Sequence, residues 1–232
     1  MSSCPRNWSR KTVLLVDDHP IVREGLRDLL EASGELSVVG EAGDARTAIA
    51  LAGQLKPALA IVDLSLGNDS GLELIKSIRE YHENVKVLVL SLHAEELYVE
   101  RALRAGACGY VCKSEPPEVL VRAARQAITE GVYVSEQHAR RMLARIVSPV
   151  RRGCGDLANL TDRELEVFEL VGKGYSGRQI AQRLHRSVKT VESHCARIRR
   201  KLMVQDSRGL LQKAIQWMSM QRSLSPLQTD KP

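Results

Sequence analysis

Five short apolar runs lie in the first 130 residues, near 12–16, 36–42, 58–62, 86–90 and 108–112. Each is followed by a longer stretch whose apolar residues recur at helical spacing, near 20–33, 44–55, 71–82, 94–105 and 116–130. Such regular alternation with short connections leaves few folds open. Parallel strands need a crossover, and the helices that supply it cover both faces of the sheet. The run Ala58–Val62 is apolar throughout, as a strand buried on both faces must be. Gly34, Gly106 and Gly131 fall where helices must stop. Pro116-Pro117 opens the fifth helix, where a missing N–H costs little. The expectation is an α/β domain built on a parallel sheet.

Four of these runs are closed by polar residues. Asp17 and Asp18 follow Val13–Val16, Asp63 follows Val62, Ser91 follows Leu90 and Lys113 follows Cys112. Ligands of an open parallel sheet bind outside the carboxyl ends of its strands, so these scattered residues are expected to converge on one pocket. A single Asp after a strand is ordinarily a turn residue or a helix cap. Three carboxylates, a hydroxyl and an ammonium together point further. The carboxylates form a hard-oxygen site of the kind that suits Mg²⁺. Lys113 offers a point positive charge and Ser91 a hydrogen bond to a phosphoryl group. A carboxylate can itself accept the phosphoryl group as an aspartyl-phosphate.

Charge divides the chain. Residues 1–130 hold 15 Lys/Arg against 19 Asp/Glu, a net of −4, while residues 131–232 hold 19 against 9, a net of +10. An acidic module followed by a basic one fits either a solvated surface or a nucleic-acid partner for the second. The five cysteines lack zinc-site spacing and read as reduced thiols. No apolar stretch approaches the roughly 18 residues of a membrane span, and Met1–Arg6 lacks a signal-peptide core. A soluble cytoplasmic protein is expected.

The periodicity changes after Gly131. Residues 135–147 read as a short amphipathic helix with Ser135 as its cap, and 148–159, with Pro149, Gly153 and Gly155, as a linker. Four helices come next. Thr161 and Glu164 form the capping box of the first, and Gly172, Gly174 and Gly177 read as breaks between it and the second. The second and third, near 177–184 and 188–202, are a helix-turn-helix candidate centred on about 176–195. Asp206 caps the fourth, near 207–219, and a tail expected to be disordered runs from Ser223. Val188, Val191, Ile198 and Leu202 read as the core face of the third helix. Thr190, Glu192, Ser193, Ala196 and Arg197 lie along another side, with charge from Lys189, Arg197, Arg199, Arg200 and Lys201.

On these residues the first module, 12–130, resembles the receiver domain of two-component response regulators. The signals are Asp17-Asp18, Asp63, Ser91 and Tyr110-Val111-Cys112-Lys113. The second resembles the LuxR-type DNA-binding domain. It carries Leu160-Thr161-x-Arg163-Glu164-x-Glu166-Val167, Gly174-Tyr175-Ser176, Ile180-Ala181, Leu184, Ser187–Val191, His194 and Lys201-Leu202. The whole chain resembles the NarL/FixJ family, with a linker over 131–155 and a helix-turn-helix domain over 156–221.

The resemblance implies a flavodoxin-like sheet in the strand order 2-1-3-4-5 and a four-helix second domain. It implies Asp63 as phospho-acceptor, with Mg²⁺ held by Asp18, Asp63 and the Ser65 carbonyl while Asp17 assists through water. Ser91 and Lys113 would contact the phosphoryl oxygens, and Tyr110 would be the aromatic switch. Ser65 and His93 would tune phosphoryl lifetime. Lys189, Glu192, Ser193 and Ala196 would reach bases or nearby phosphates, Thr190 would belong to the same DNA-binding set, and Arg197, Arg200 and Lys201 would lie on phosphates. The implied partners are a sensor histidine kinase, double-stranded promoter DNA and, when phosphorylated, a second copy of the chain through the helix carrying Leu210, Leu211, Ala214 and Ile215. In such proteins the unphosphorylated receiver can cover the recognition helix. The receiver would catalyse only its own phosphorylation and dephosphorylation. Two other readings are a DNA-binding protein with an unresponsive receiver and an Asp-nucleophile phosphatase. The latter usually carries a second Asp two residues after the first, where this chain has Ser65.

Overall fold

A computed structural model of the chain describes residues 10–67, 69–92, 96–136, 138–140, 157–184 and 186–223. Most of the expected helix and linker over 135–159, the tail after Ser223 and His93 lie outside them. The backbone separates into two compact units, Met1–Val147 and Ser148–Pro232.

In the first unit β1 (Lys11–Val16), α1 (Pro20–Ala32), β2 (Leu36–Ala42), α2 (Ala45–Leu55) and β3 (Leu59–Val62) follow in order. A small ribbon, β4 (Ser65–Leu66) and β5 (Asp69–Ser70), leads into α3 (Gly71–Tyr81). Then come β6 (Lys86–Ser91), α4 (Glu96–Ala105), β7 (Gly109–Cys112) and α5 (Pro117–Glu130). The main sheet is parallel in the order β2-β1-β3-β6-β7. Counting only its own strands, that is the 2-1-3-4-5 order expected. Every residue of β3 is buried, and Val13–Val16 of β1 are equally enclosed. Both strands lie inside the sheet with both faces covered, which is why they carry no polar alternation.

The antiparallel β4–β5 ribbon has no signal in the sequence, because two-residue strands are too short to show a period. It leads directly into Gly71, the first residue of α3. A Cβ there would lie 2.5 Å from the Asp63 carbonyl oxygen and 2.5 Å from Leu64 Cα. Only glycine lets α3 start against the backbone that carries Asp63. Beyond α5, Gly131 has φ 89° and ends the helix. Tyr133 then forms a parallel bridge to Gly109, with Tyr133 N–H donating to Cys108 O at 2.8 Å and Tyr110 N–H to Tyr133 O at 3.2 Å.

Among the described residues of the second unit are a short 3₁₀ turn, Leu157–Asn159, and four helices: α6 (Asp162–Gly172), α7 (Gly177–Arg183), α8 (Val188–Lys201) and α9 (Ser207–Ser223). Serine or threonine caps the first three: Thr161 in a capping box with Glu164, Ser176 in a second box with Gln179, and Ser187 on Thr190 N–H. The Asp206 carboxylate accepts from Gly209 N–H at 2.7 Å. The core gathers Leu165, Phe168, Ile180, Val191, Ile198, Leu210, Ala214 and Trp217, with the Phe168 and Trp217 rings tilted at 5.8 Å between centroids.

Two expectations need correction here. Only Gly174, at φ 83°, acts as a break. Gly172 is the last residue of α6, where an added Cβ would lie 2.7 Å from Met218 Sδ and 3.2 Å from Ala214 Cβ, so its role is to let α9 approach. Gly177 is the first residue of α7. Val188 is expected on the core face, but it is 39% exposed. As the first residue of α8 it precedes the turns that face α6 and α7, and only Val191, Ile198 and Leu202 are buried.

Candidate functional site

The carboxyl ends of β1, β3, β6 and β7 bring the five expected residues to one edge of the sheet. Asp17, Asp63 and Ser91 are buried, and Lys113 is largely so. The Lys113 ammonium bridges two carboxylates, lying 2.6 Å from Asp17 Oδ2 and 2.7 Å from Asp63 Oδ2. The residues joined are 96 and 50 positions apart in sequence. Backbone bonds hold the strand ends in register: Asp63 N–H donates to Val16 O at 2.8 Å and Lys113 N–H to Ser91 O at 2.8 Å. Ser65 N–H donates to Asp63 Oδ1 at 3.2 Å. Tyr110 is fully enclosed on β7, three residues before Lys113.

Electrostatics keep this cluster poised. Burial pushes the Asp63 carboxyl above the ordinary Asp range; the Lys113 ammonium and the Ser65 N–H oppose that rise and the Asp17 charge adds to it. Burial also disfavours the Lys113 cation, but Asp63 and Asp17 outweigh it and hold the ammonium above its usual range. Two acidic side chains are thus held together by one ammonium.

The donor set fits a hard divalent ion. Asp18 Oδ1 is buried and makes no well-aligned hydrogen bond, although His19 Nδ1 lies 2.7 Å away. Asp17, Asp18 and His19 each present a ligand atom within 4.8 Å of the others. Gly67, at φ 51°, brings the β4–β5 turn over the pocket, and a Cβ there would lie 3.2 Å from Asp18 Oδ2. The space beside Asp18 therefore depends on glycine.

Four further contacts shape the pocket without a clear sequence signal. Asp17 Oδ1 accepts from His19 N–H at 2.8 Å, a local turn that sets the direction of the Asp17 side chain. The Arg23 guanidinium donates to Asp17 O at 2.5 Å and to Glu41 Oε2 at 3.1 Å, and Arg27 shares Glu41. Arg23 thereby ties the backbone of the acidic pair to β2. It looks like any exposed helix arginine in sequence, and only the register of α1 on β2 reveals it.

The second unit presents α8. Lys189, Glu192, Ser193, Ala196, Arg197 and Arg200 are grouped by three- and four-residue steps on a single helical face. Lys189, Glu192, Ser193, Ala196 and Arg197 lie along the part of that face expected to meet DNA. Thr190 is partly enclosed, with its hydroxyl 2.8 Å from that of Ser187 in the cap, and the Ser193 hydroxyl donates to Lys189 O at 2.9 Å. Lys201, expected on phosphate, has its ammonium 2.6 Å from Glu164 Oε2 and so ties α8 to the start of α6. His194 faces inward. Its Nδ1 is buried without a hydrogen bond, and burial and the Arg197 charge hold the ring below the usual His range. On α9 the expected dimerisation residues divide. Leu210 and Ala214 are buried within the unit, while Leu211 and Ile215 are 36% and 49% exposed.

Among the described residues no helix is long and apolar enough to cross a membrane. Residues 13–125 match the family described as response regulator receiver domain. Residues 158–214 match that described as bacterial regulatory proteins, luxR family. The regulator YxjL of Bacillus subtilis, an uncharacterized transcriptional regulatory protein, is 36% identical over 86% of this chain and 93% of its own length. The response regulator VraR of Staphylococcus aureus is 36% identical over 84% of this chain and 91% of its own. RcsB from Salmonella enterica serovar Typhimurium, solved bound to promoter P1flhDC in the presence of phosphomimetic BeF₃⁻, is 30% identical. It aligns over 89% of this chain and 98% of its own, with a TM-score of 0.59. On these matches the chain belongs to the response regulators that join a receiver domain to a LuxR-type DNA-binding domain.

Proposed function

We propose that this transcription regulator is switched by Mg²⁺-dependent phosphorylation of Asp63, with a sensor histidine kinase as donor. The observation that carries the reading is the Lys113 ammonium held between Asp17 and Asp63 at the open edge of the sheet. A phosphoryl group arriving on Asp63 adds anionic oxygens within reach of that ammonium. An Asp63 carboxylate oxygen attacks the phosphorus, and the bond from phosphorus to the donor's leaving group breaks. Lys113 and the Ser91 hydroxyl then hold the new oxygens. Asp17, Asp18, Asp63 and the Ser65 carbonyl are the residues that would hold Mg²⁺, whose charge offsets repulsion between carboxylate and incoming anion. Enclosed Tyr110 lies on β7, which Lys113 directly follows, and its repositioning would shift an equilibrium between states already populated.

The output is DNA binding through α8. Phosphorylation would favour a dimer that places two copies of α8 on symmetric half-sites, with exposed Leu211 and Ile215 as apolar material for the contact. Glu192 would accept from a cytosine amino group, which bears on sequence choice, or repel phosphate, which bears on affinity.

The test incubates the protein with acetyl phosphate and Mg²⁺. Intact mass should show one added phosphoryl group per chain, absent with EDTA and absent in Asp63→Asn. Binding to genomic fragments should tighten only in the phosphorylated wild type. Equal affinity before and after modification would instead identify a constitutive DNA-binding protein. Continuous phosphate release from many substrates would identify a phosphatase.

The basic face makes a separate forecast. Affinity for DNA should fall steeply with salt, with a log–log slope of about −0.9 per phosphate neutralised. Arg197→Ala and Arg200→Ala should each reduce that slope by about 1 without altering thermal stability. Lys201→Ala should lower stability instead, because its charge is spent on Glu164.

A further inference from the structure

We infer that the receiver carries a second ligand site, at the end of the sheet opposite Asp63, shaped for a small nucleotide. A cavity of about 510 Å³ opens where β1 and β6 begin and where α2 and α3 end. That volume is within the usual range for small-molecule sites. Arg10, Lys11 and Lys56 line it together with Tyr81, His82 and Glu83. Three permanent cations against one carboxylate form a local basic cleft in a module whose net charge over residues 1–130 is −4. No ion pair among the described residues engages Arg10, Lys11 or Lys56.

Two observations separate this cleft from an ordinary basic surface. Lys56 sits at φ 45° and ψ 55°, left-handed backbone that glycine occupies without cost. The lysine there places an ammonium at the cleft against the local backbone preference. Cations are favourable at helix C-termini in general, but that effect does not require a strained position. Two aromatic side chains also line the cleft. The His82 ring lies over Gly53, where an added Cβ would meet Cε1 at 3.0 Å, and next to it Tyr81 is 66% exposed. Two adjacent flat rings beside three cations suit a heteroaromatic base carrying phosphates, the base stacking while the phosphates reach Arg10, Lys11 and Lys56.

The test uses the full-length protein in EDTA, so that no metal can draw phosphates into the acidic pocket. ADP is the probe, with pyrophosphate and adenosine as its halves, followed by calorimetry. One ADP per chain is expected. Lys56→Gly should weaken it at least tenfold while leaving the melting temperature unchanged or higher, since glycine relieves the backbone. Tyr81→Ala should weaken ADP but not pyrophosphate. Arg197→Ala/Arg200→Ala should bind ADP as the wild type does, which places the site away from α8. No ADP binding at millimolar concentration, or equal binding by wild type and Lys56→Gly, overturns the proposal. Insensitivity to Tyr81→Ala overturns the nucleotide assignment.

Discussion

Lys113→Met is expected to destabilise the first unit by about 3 kcal/mol in EDTA, and Mg²⁺ is expected to recover much of that loss. The ammonium is the sole cation placed between Asp17 and Asp63 among the described residues, and removing one partner of a buried pair leaves the other charge uncompensated. Methionine keeps the length and apolar stem, so the loss is electrostatic rather than a cavity. The sign of the pH dependence comes from Asp63. Its folded-state pKa is already raised above the unfolded value, so ionisation opposes folding, and loss of Lys113 raises that pKa further. Below the unfolded value the group is protonated in both states and the penalty vanishes. Across the interval up to the folded value stability falls as pH rises. The Lys113→Met deficit should therefore shrink on acidification. Urea unfolding of wild type and variant at several pH values, with and without Mg²⁺, measures it. Equal stability at neutral pH in EDTA would show that the acids do not depend on the ammonium. Asp17→Asn in the Lys113→Met background should restore part of the loss, because one of the two facing charges is gone.

The sheet and its site are legible in the sequence for a shared reason. A strand buried on both faces has to be apolar, so any polar residue that closes it stands out, and Asp17, Asp18, Asp63, Ser91 and Lys113 stand out in that way. Their convergence is a consequence of parallel topology, which sends every strand's carboxyl end to one edge. The helix caps are legible in part: Thr161 with Glu164 shows plainly, while the box of Ser176 with Gln179 is masked by Gly177, which reads as a break. The features without a sequence signal depend on register between elements. Arg23 reaches Asp17 O only because α1 lies on β2 with one particular rotation, and the β4–β5 ribbon is too short to carry a pattern. Lys201 shows the same limit from the other side. By composition it belongs to the basic run Arg199-Arg200-Lys201, yet one helical step turns it inward to a carboxylate 37 positions away.

Glu164, buried near the start of α6, is the second position at which a large effect is expected. Its Oε2 accepts from Thr161 N–H at 2.8 Å and from the Lys201 ammonium at 2.6 Å, while its own N–H donates to Thr161 Oγ1 at 3.3 Å. One carboxylate thus closes the start of α6 and ties down the end of α8. Burial works against the charge, but Lys201 and the Thr161 N–H outweigh it and hold the carboxyl below the usual Glu range. The depressed folded-state value means that Glu164 stabilises the unit above its unfolded pKa, and that this contribution is lost as pH falls through the folded one. Glu164→Ala should cost about 3 kcal/mol, combining a lost cap with a broken pair. Glu164→Gln retains an acceptor for the cap and should cost about half as much, since the partly exposed Lys201 stem can carry its charge back to water. Both variants should lose the acid-dependent component of wild-type stability. DNA affinity should fall in proportion to the unfolded fraction, with the salt slope unchanged. A reduced salt slope in the folded Glu164→Gln protein would show instead that the Glu164–Lys201 pair had been holding α8 in the position that meets phosphate.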